Sequence, residues 1–376
     1  MVGNLSRRGF LQVAGGAAAA ACAPAASPTS TASSGAKAAW ETERENLIAA
    51  AKQEGKIVVH TAAGAGFRES LEKFAEAFPG IGLEHQQFPE AATYGEKIRK
   101  ERAAGIYSLD AALLPVAGVF QELKPHGIVA PLRPLPFRPD VLDDKAWDGG
   151  FEAQWMDTDK QLVFRTRRDT VHPVWINTDM VKDGEIKTPE DLLNPKWKGQ
   201  IVVADPRQGA FYLSMTALRL NGKEDVLKKL FIEQQPAIIR DRRQHPESVI
   251  RGKYPIGIGI LWQFYVEFLN NGVGKNVKNV DMPEFDYQPS DTVHVYDKAP
   301  HPSAAKLFAN WVLTKEGQAP YSANVAYNSS RLDVPVAEPA NMPKPGVVYM
   351  LRNQEEVQPA IVETQNLLNE LAKGLG

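Results

Sequence analysis

The sequence predicts an α/β protein of two lobes, with a hinge and an interlobe cleft. Short β-branched segments alternate with amphipathic helical segments over residues 40–115, and the same alternation returns over residues 188–261. Extended stretches at 159–181 and 283–289 precede and follow the second run. Strands that alternate with helices of about ten or more residues form parallel sheets covered on both faces. Two such units, joined twice by extended chain, predict two lobes that meet at a cleft.

The first lobe shows both periodicities clearly. "KIVVHT", Lys56–Thr61, is a short β-branched strand, and phenylalanines and leucine then recur at helical spacing over residues 67–78. The other predicted elements of this lobe are a helix at Trp40–Glu54, a strand that begins at Ile81, a helix at Tyr94–Ala104 and a buried strand that begins at Leu109.

The second lobe repeats this order. Thr188 caps a helix that has Pro189 in its first turn, and the strand Ile201–Ala204 follows. The other predicted elements are the helices Gly209–Leu220, Glu224–Gln234 and Pro246–Gly252 and the strands Ala237–Asp241 and Ile256–Leu261.

These patterns set the expected domain boundaries. We assign residues 40–165 and 289–320 to the first lobe and residues 166–288 to the second. Residues 321–376 form a C-terminal segment that ends in a helix.

The chain opens with a predicted export signal. Arg7 and Arg8 lie in an S-R-R-x-F-L pattern that is typical of twin-arginine signals. The apolar stretch after them is shorter than the about 20 residues that span a bilayer. We expect residues 1–21 to be a twin-arginine signal peptide and residues 22–39, which are small and rich in Ser, Thr and Pro, to be a flexible tether.

Cys22 is the only cysteine of the chain, and it stands where the signal ends. "AAAC" resembles a lipobox, in which the cysteine is lipidated and becomes the mature N-terminus; simple cleavage at a neighbouring Ala-x-Ala site is the alternative. Either route places the protein in the periplasm or at the cell surface. The rest of the chain then has no thiol for a disulfide, a cysteine metal site or catalysis.

Composition excludes several classes of protein. The chain carries 43 Lys and Arg against 45 Asp and Glu, a formal net charge of −2, and therefore has no net basic surface for nucleic acid. It contains no G-x-S-x-G, H-E-x-x-H or P-loop motif. None of the seven histidines lies at metal-ligand spacing from another. We expect no catalytic residue, no cofactor and no metal.

Three longer sequence segments resemble those of a known protein family. Residues 191–206 ("DLLNPKWKGQIVVADP"), 299–322 and 329–334 ("SSRLDV") resemble the extracellular solute-binding proteins of ABC importers, in particular the branch of the periplasmic ferric-iron-binding proteins. The resemblance covers residues 56–334. It implies the type II periplasmic-binding fold and a monomer that captures a small polar or anionic solute and delivers it to a membrane permease. An exported sensor component or an enzyme built on the same lobes is the alternative from another class.

One loop is the predicted binding site of an anion, called the anion seat below. Residues 205–211 join a strand end to a helix start, where unpaired N–H groups and the helix dipole favour negative charge. The resemblance matches Gln208, Gly209 and Ala210 to the turn that holds an accompanying anion in the ferric-iron branch. Arg207 would add a bidentate contact; a purely structural turn with Arg207 in solvent is the alternative.

The remaining predicted ligand contacts come from other strand ends. Ligands of open parallel sheets bind at the carboxyl ends of the strands. Trp262 and Tyr265 follow such an end in the second lobe, and Thr61, Ala62 and Ala63 close from the first lobe.

Arg165, Arg167 and Arg168 lie on the first extended stretch. Most such charge runs are solvated, so we predict that most of these arginines face water. A contact with the ligand is the alternative.

Ferric iron binding requires donors that the sequence does not place. Iron prefers anionic oxygen ligands, and the ferric-iron branch supplies phenolates from a tyrosine pair at positions matched here by Trp262 and Gln263. The loop at residues 62–66 and the pair Leu114–Pro115 also offer no side-chain donor. We therefore predict that bare ferric iron is not the ligand, and iron bound through Tyr265 or as a chelate is the alternative.

Overall fold

Two larger β-sheets organise the described part of the chain, beside a small two-stranded sheet, and each of the larger sheets has its own hydrophobic core. The chain from Ala39 onward forms one compact unit. The computed structural model describes residues 38–62, 64–88, 94–115, 118–206, 209–289, 291–351 and 354–373. The predicted export arginines Arg7 and Arg8, and the predicted lipidation site Cys22, lie outside the described residues.

The helices are α1 Ala39–Glu54, α2 Ala65–Ala77, α3 Tyr94–Ala103, α4 Pro139–Leu142, α5 Gly209–Leu220, α6 Glu224–Ile232, α7 Gln244–Ile250, α8 Trp262–Asn270, α9 Pro302–Val312, α10 Lys315–Val325 and α11 Gln358–Ala372. The strands are β1 Lys56–Ala62, β2 Gly82–Phe88, β3 Ala111–Leu114, β4 Val129–Ala130, β5 Phe164–Arg165, β6 Val174–Asn177, β7 Ile201–Ala204, β8 Ala237–Ile239, β9 Ile256–Ile258, β10 Val277–Asn279, β11 Tyr287–Gln288, β12 Thr292–Tyr296 and β13 Met350–Leu351. A π-helical turn covers Val119–Leu123, and short 3₁₀ helices cover Lys124–His126, Asp144–Ala146, Phe151–Gln154, Pro189–Leu193, Pro195–Trp197, Pro339–Asn341 and Glu355–Val357.

The first sheet has the order β2-β1-β3-β12-β4, and β5 also pairs with β12. β1 runs parallel to β2 and β3, whereas β12 runs antiparallel to β3. The expectation of a purely parallel sheet is therefore wrong here. Thr292, at the start of β12, pairs with Leu114, at the end of β3. The returning chain enters the sheet at the edge where the parallel strands end, and this makes β12 antiparallel.

The second sheet has the order β10-β6-β9-β7-β8. β7 is parallel to both β8 and β9, and β6 is antiparallel to β9 and β10. Helices α5, α6 and α11 pack in one hydrophobic core of this sheet, whereas α7 and α8 contribute to another. The parallel core, with its strand ends at one edge, is the part of the fold that positions the candidate site.

Two hinge segments, residues 166–173 and 280–291, connect the sheets. They are paired with each other: the Thr166 N–H donates to the Asp291 carbonyl at 2.8 Å, and the Val171 N–H donates to the Tyr287 carbonyl at 2.9 Å. The chain after α10 also pairs with the first hinge segment, since the Ser330 N–H donates to the Thr166 carbonyl at 3.0 Å.

The arginines at the first hinge segment are buried, so the prediction that most of them face water is wrong. Arg165 is 4% exposed, and its Nε donates to Gln154 Oε1 at 2.9 Å. The Arg167 guanidinium lies 3.3 Å from the centre of the Tyr327 ring, and Arg168 is 9% exposed. The segment is covered on both sides by paired chain, and this burial requires local polar and aromatic partners for its cations.

In the part of the chain that the structure describes, no helix combines the length and the apolar character that crossing a membrane requires.

Two histidines lie in the core of the first lobe. His60 on β1 and His294 on β12 both stand in register with Ala112 of β3, and both are fully buried. His60 Nδ1 lies 2.9 Å from the Tyr296 hydroxyl, whereas both ring nitrogens of His294 lack a hydrogen-bond partner among the described residues. Burial lowers the pKa of His60 to about 2 and the pKa of His294 to about 3. Both rings are therefore neutral in the folded state at neutral pH.

Acidification from pH 7.5 to pH 5 should destabilise the protein through these histidines. Their folded-state pKa values, about 2 and about 3, lie below the unfolded value near 6.5, so the unfolded state takes up protons first as the pH falls below 6.5. The two side chains should together lower the free energy of unfolding by up to about 4 kcal/mol at pH 5. Urea unfolding at several pH values measures this loss.

His294→Gln should flatten that pH dependence, because the substituted side chain does not titrate. His126→Gln, at an exposed position of the same lobe, is the matched control and should keep the wild-type dependence. Equal slopes in the two variants would contradict the assignment.

Candidate ligand-binding site

The carboxyl ends of three neighbouring parallel strands meet at one edge of the second sheet. β7 ends at Ala204, β8 at Ile239 and β9 at Ile258, and each strand leads into a helix: α5, α7 and α8 respectively. Helix N-termini present unpaired backbone N–H groups and the positive end of the helix dipole. The starts of α5 and α8 therefore add positive potential to this edge, whereas the start of α7 is capped by Asp241.

Gly259 ends β9 and sets the path into α8. Its φ of +91° is one that side-chain-bearing residues rarely adopt. A Cβ at this position would lie 3.1 Å from the Ala204 Cβ and 3.3 Å from the Phe211 ring. Glycine is thus needed for the end of β9 to pass close to the start of α5.

Trp262, the first residue of α8, presents its indole to solvent at this edge. The residue is 38% exposed. Its ring stacks on the buried Trp175 of β6, with ring centres 6.4 Å apart and an angle of 25° between the planes. Tyr265 lies 5.8 Å from the same ring. The exposed indole therefore rests on a buried aromatic base.

Tyr265 belongs to that base. It is 3% exposed, and its hydroxyl lies 2.9 Å from the Gly274 carbonyl and 2.8 Å from the Val277 carbonyl, to which it donates. Burial also raises the pKa of the phenol. Tyr265 would therefore contribute to ligand binding only indirectly, by holding the ring of Trp262 in place.

Three arginines at the end of β8 are site candidates that the sequence analysis missed. The Arg240 side chain is 77% exposed, and its Nε lies 3.4 Å from Asp205 Oδ2 at the end of β7. Arg242 is exposed, and Arg243 is 3.7 Å from Glu267 of α8. The signal was the run "RDRR", residues 240–243, at the end of the predicted strand Ala237–Asp241. Arg240 and Arg243 are thus paired with acidic residues, and Arg242 is the arginine of this run that adds exposed positive charge to the edge.

Asp241, in the middle of this run, has a structural role. Its Oδ1 accepts hydrogen bonds from the N–H groups of Arg243 and Gln244, both at 2.8 Å. These bonds cap the start of α7 and lower the pKa of the carboxyl group. The carboxylate is directed to its own helix.

The predicted anion seat is only partly described. α5 begins at Gly209, and its first turn follows the end of β7. Arg207 and Gln208 lie outside the described residues, and so do the side chains of Gly209 and Ala210. The contacts assigned to these residues stay predictions.

The predicted contacts from the first lobe lie at the end of β1. Thr61 is fully buried; its hydroxyl donates to the Ala62 carbonyl at 2.8 Å and lies 2.6 Å from His85 Nε2. Ala62 is half-buried, and Ala63 lies outside the described residues. A Cβ on Gly66 would collide with the Asn324 carbonyl oxygen. The start of α2 is therefore packed against α10, and a ligand contact from this loop would come from the backbone after Thr61.

A histidine–carboxylate cluster joins the hinge segments. His172 Nδ1 lies 2.8 Å from Asp286 Oδ2 and 3.9 Å from Asp281 Oδ1. Burial raises the pKa of Asp286, and His172 opposes this effect. The Lys344 ammonium group contacts Asp281. Residues of this type can hold a metal ion, but here a lysine already neutralises one carboxylate. We interpret the cluster as an ion-pair network that ties the C-terminal segment to the hinge.

A concavity of about 480 Å³ lies elsewhere, between α1, α4 and α10 of the first lobe. Its charged walls are paired with each other: Arg138 Nε lies 2.8 Å from Asp140, and Arg331 Nε lies 2.9 Å from Asp333. These pairs leave little uncompensated charge for a ligand, and the concavity does not adjoin the strand ends described above.

Comparison with known families identifies the class of protein. Residues 69–344 match the family model described as bacterial extracellular solute-binding protein. No curated protein sequence matches the chain.

Solved structures give the same fold. The chain is similar to iron-bound HitA from Pseudomonas aeruginosa (15% identity, TM-score 0.64, 84% of this chain and 99% of HitA). It is also similar to the spermidine/putrescine ABC transporter substrate-binding protein PotD from Streptococcus pneumoniae (16%, 0.62, 85% and 99%). A third similar structure is AfuA from Actinobacillus pleuropneumoniae with fructose-6-phosphate bound (20%, 0.57, 85% and 98%). These similarities establish the type II periplasmic-binding fold, and the ligands named belong to those proteins.

Proposed function

Because the chain belongs to the bacterial extracellular solute-binding proteins, we propose that it is the substrate-binding component of an ABC importer. It captures a small polar or anionic solute at the strand ends between its lobes and delivers this solute to a membrane permease. The observation that carries the anionic preference is the carboxyl edge of the second sheet. The starts of α5 and α8 and the exposed Arg242 lie there, beside Arg240 and Arg243, which are paired with Asp205 and Glu267.

The hinge segments provide a mechanism for capture of the solute. The two hinge segments are paired at Thr166 with Asp291 and at Val171 with Tyr287, and we propose that a small rotation about them moves the lobes as rigid bodies. A solute that contacts both the second-sheet edge and the end of β1 favours the closed arrangement, since only that arrangement makes both sets of contacts. The permease would recognise the closed form.

Ferric iron, free or chelated, is the second candidate ligand, because iron-bound HitA shares the fold. The residues at the strand ends argue against the bare ion. Trp262 offers no oxygen donor, and the phenol of Tyr265 is buried, occupied by two carbonyls and held protonated by its raised pKa. Ferric iron needs anionic oxygen donors. An iron chelate would bind through the anionic groups of the chelator.

A thermal-shift panel tests the function and the ligand class together. The purified protein is screened against organic phosphates, phosphonates, carboxylates, polyamines and ferric iron with and without citrate. A solute that binds only the folded state raises the melting temperature, and we expect such a rise with an organic anion. Ferric iron without a chelator should give neither a rise nor a visible absorption band, because the site lacks accessible phenolates.

Two outcomes of the panel would count against the proposal. A strong visible band on stoichiometric addition of ferric iron would move iron to first place. Stabilisation by polyamines alone would show that the arginines do not set the charge of the ligand.

We also propose that the protein is exported by the twin-arginine route and anchored through a lipid on Cys22. The support is the S-R-R-x-F-L pattern and the cysteine at the end of the signal, together with membership of an extracellular family.

A further inference from the structure

The exposed indole of Trp262 is held rigidly, which is unusual for a large apolar side chain at a surface. Single exposed hydrophobic residues are common, but most are not stacked on a second aromatic ring. Trp175 lies beneath the indole at 25°, and the Tyr265 ring, 4.7 Å from Trp175, fixes that base through its two carbonyl contacts. The upper face of Trp262 is therefore presented as a flat, preorganised surface.

This surface adjoins the positively charged part of the edge. β9, which leads to Trp262, is the direct neighbour of β7, which leads to α5. Adjacent strands are about 5 Å apart, so one small molecule spans both strand ends. Arg240 lies beyond them, 3.4 Å from Asp205. The indole and the cationic groups thus lie at the same edge of the second sheet.

The neighbouring charges decide what stacks on the indole. An aromatic face attracts cations as well as flat rings, but the positive dipole ends of α5 and α8 and the exposed Arg242 disfavour a cationic ligand at this edge, where Arg240 and Arg243 are paired with Asp205 and Glu267. A neutral ring stacks on an indole face through dispersion and loss of hydration, and an anionic group attached to it is attracted to the helix starts and to the arginines. A ligand with a neutral ring and an attached anionic group would therefore contact both the indole and the positively charged groups.

We propose that the solute is a planar-ring compound that carries an anionic group, with its ring stacked on Trp262 and its anion directed to the start of α5 and Arg240. This inference rests on the proposed function and narrows it to aryl or heteroaryl phosphates and carboxylates. Trp262 is then the residue that selects a flat ring over an aliphatic chain.

Matched probe pairs test the inference. Phenyl phosphate is compared with cyclohexyl phosphate, and benzoate with cyclohexanecarboxylate, by calorimetry and by quenching of tryptophan fluorescence. The members of each pair share charge and approximate size and differ in planarity. We expect a planar anion to bind about tenfold more tightly than its saturated partner. Trp262→Ala should remove this preference, and Trp262→Phe should retain most of it.

Val273→Ala, which shortens another exposed apolar side chain of the same lobe, is the control and should change neither affinity. Equal binding of planar and saturated anions, or an unchanged preference in Trp262→Ala, would overturn the ring assignment while the solute-binding function stands. Failure of every probe anion to bind would overturn both the ring assignment and the assignment of an anionic ligand. Phosphate binding without carboxylate binding, or the reverse, identifies which anionic group the site takes.

Discussion

Arg207→Ala should weaken binding of an anionic solute by roughly 10- to 150-fold and leave the fold intact. A charge-assisted contact contributes about 1.5–3 kcal/mol, and each 1.4 kcal/mol changes affinity tenfold. Arg207 stands in the sequence between the end of β7 at Ala204 and the start of α5 at Gly209, and our proposal assigns its charge to the bound anion. Calorimetry with the solute identified by the thermal-shift panel measures the loss.

Arg251→Ala is the matched control. The Arg251 side chain is 75% exposed, lies in the same lobe and pairs with Glu247 along α7, away from the strand ends. It tests whether removal of any positive charge from the lobe weakens binding. A similar loss in both variants would attribute the effect to general electrostatics, and an affinity within about twofold of wild type for Arg207→Ala would remove Arg207 from the site.

Gly209→Pro separates the backbone contribution from that of the arginine. Gly209 is the first residue of α5, and proline is well tolerated at the first helical position because the missing N–H is unpaired there in any case. The variant should therefore fold, and it should bind an anion more weakly because one donor of the proposed seat is lost. Normal binding by a folded Gly209→Pro protein would place the anion elsewhere.

Local signals predicted the three parallel strands of the second sheet but not its antiparallel strands β6 and β10. The strand Ile201–Ala204 and the helix Gly209–Leu220 have the predicted bounds, and the predicted cap at Thr188 forms a capping box with Asp191. The predicted strand Ile256–Leu261 was too long, because the positive φ of Gly259 ends it. These features depend on side chains and backbone angles within a few residues, which a sequence displays directly.

Features that depend on distant partners were not predictable in this way. Arg165 and Arg168 looked like a solvated charge run, but chain far along in the sequence covers them. The contact between His172 and Asp286 joins residues more than a hundred positions apart. The aromatic base beneath Trp262 likewise needs Trp175 from a different strand. Periodicity identifies which face of an element is buried, whereas only the fold shows what that face meets.

Replacement of Arg7 and Arg8 by lysine should abolish export and leave the larger precursor in the cytoplasm. The twin-arginine pattern requires the planar, multiply donating guanidinium groups, which a lysine ammonium does not reproduce. Cell fractionation with an antibody against the protein measures the distribution. Unchanged secretion of the double variant would show that another signal directs export.

Cys22→Ala in the same experiment separates anchoring from export. The variant should still leave the cytoplasm, because its arginine pair is intact, but it should move from the membrane fraction to the soluble periplasmic or extracellular fraction. Lipidation attaches an acyl anchor to the cysteine sulfur, and alanine has no atom to accept it. A wild-type protein that is already fully soluble after export would instead favour simple cleavage at an Ala-x-Ala site. The solute-binding body would then reach the permease by diffusion, without a tether to the membrane.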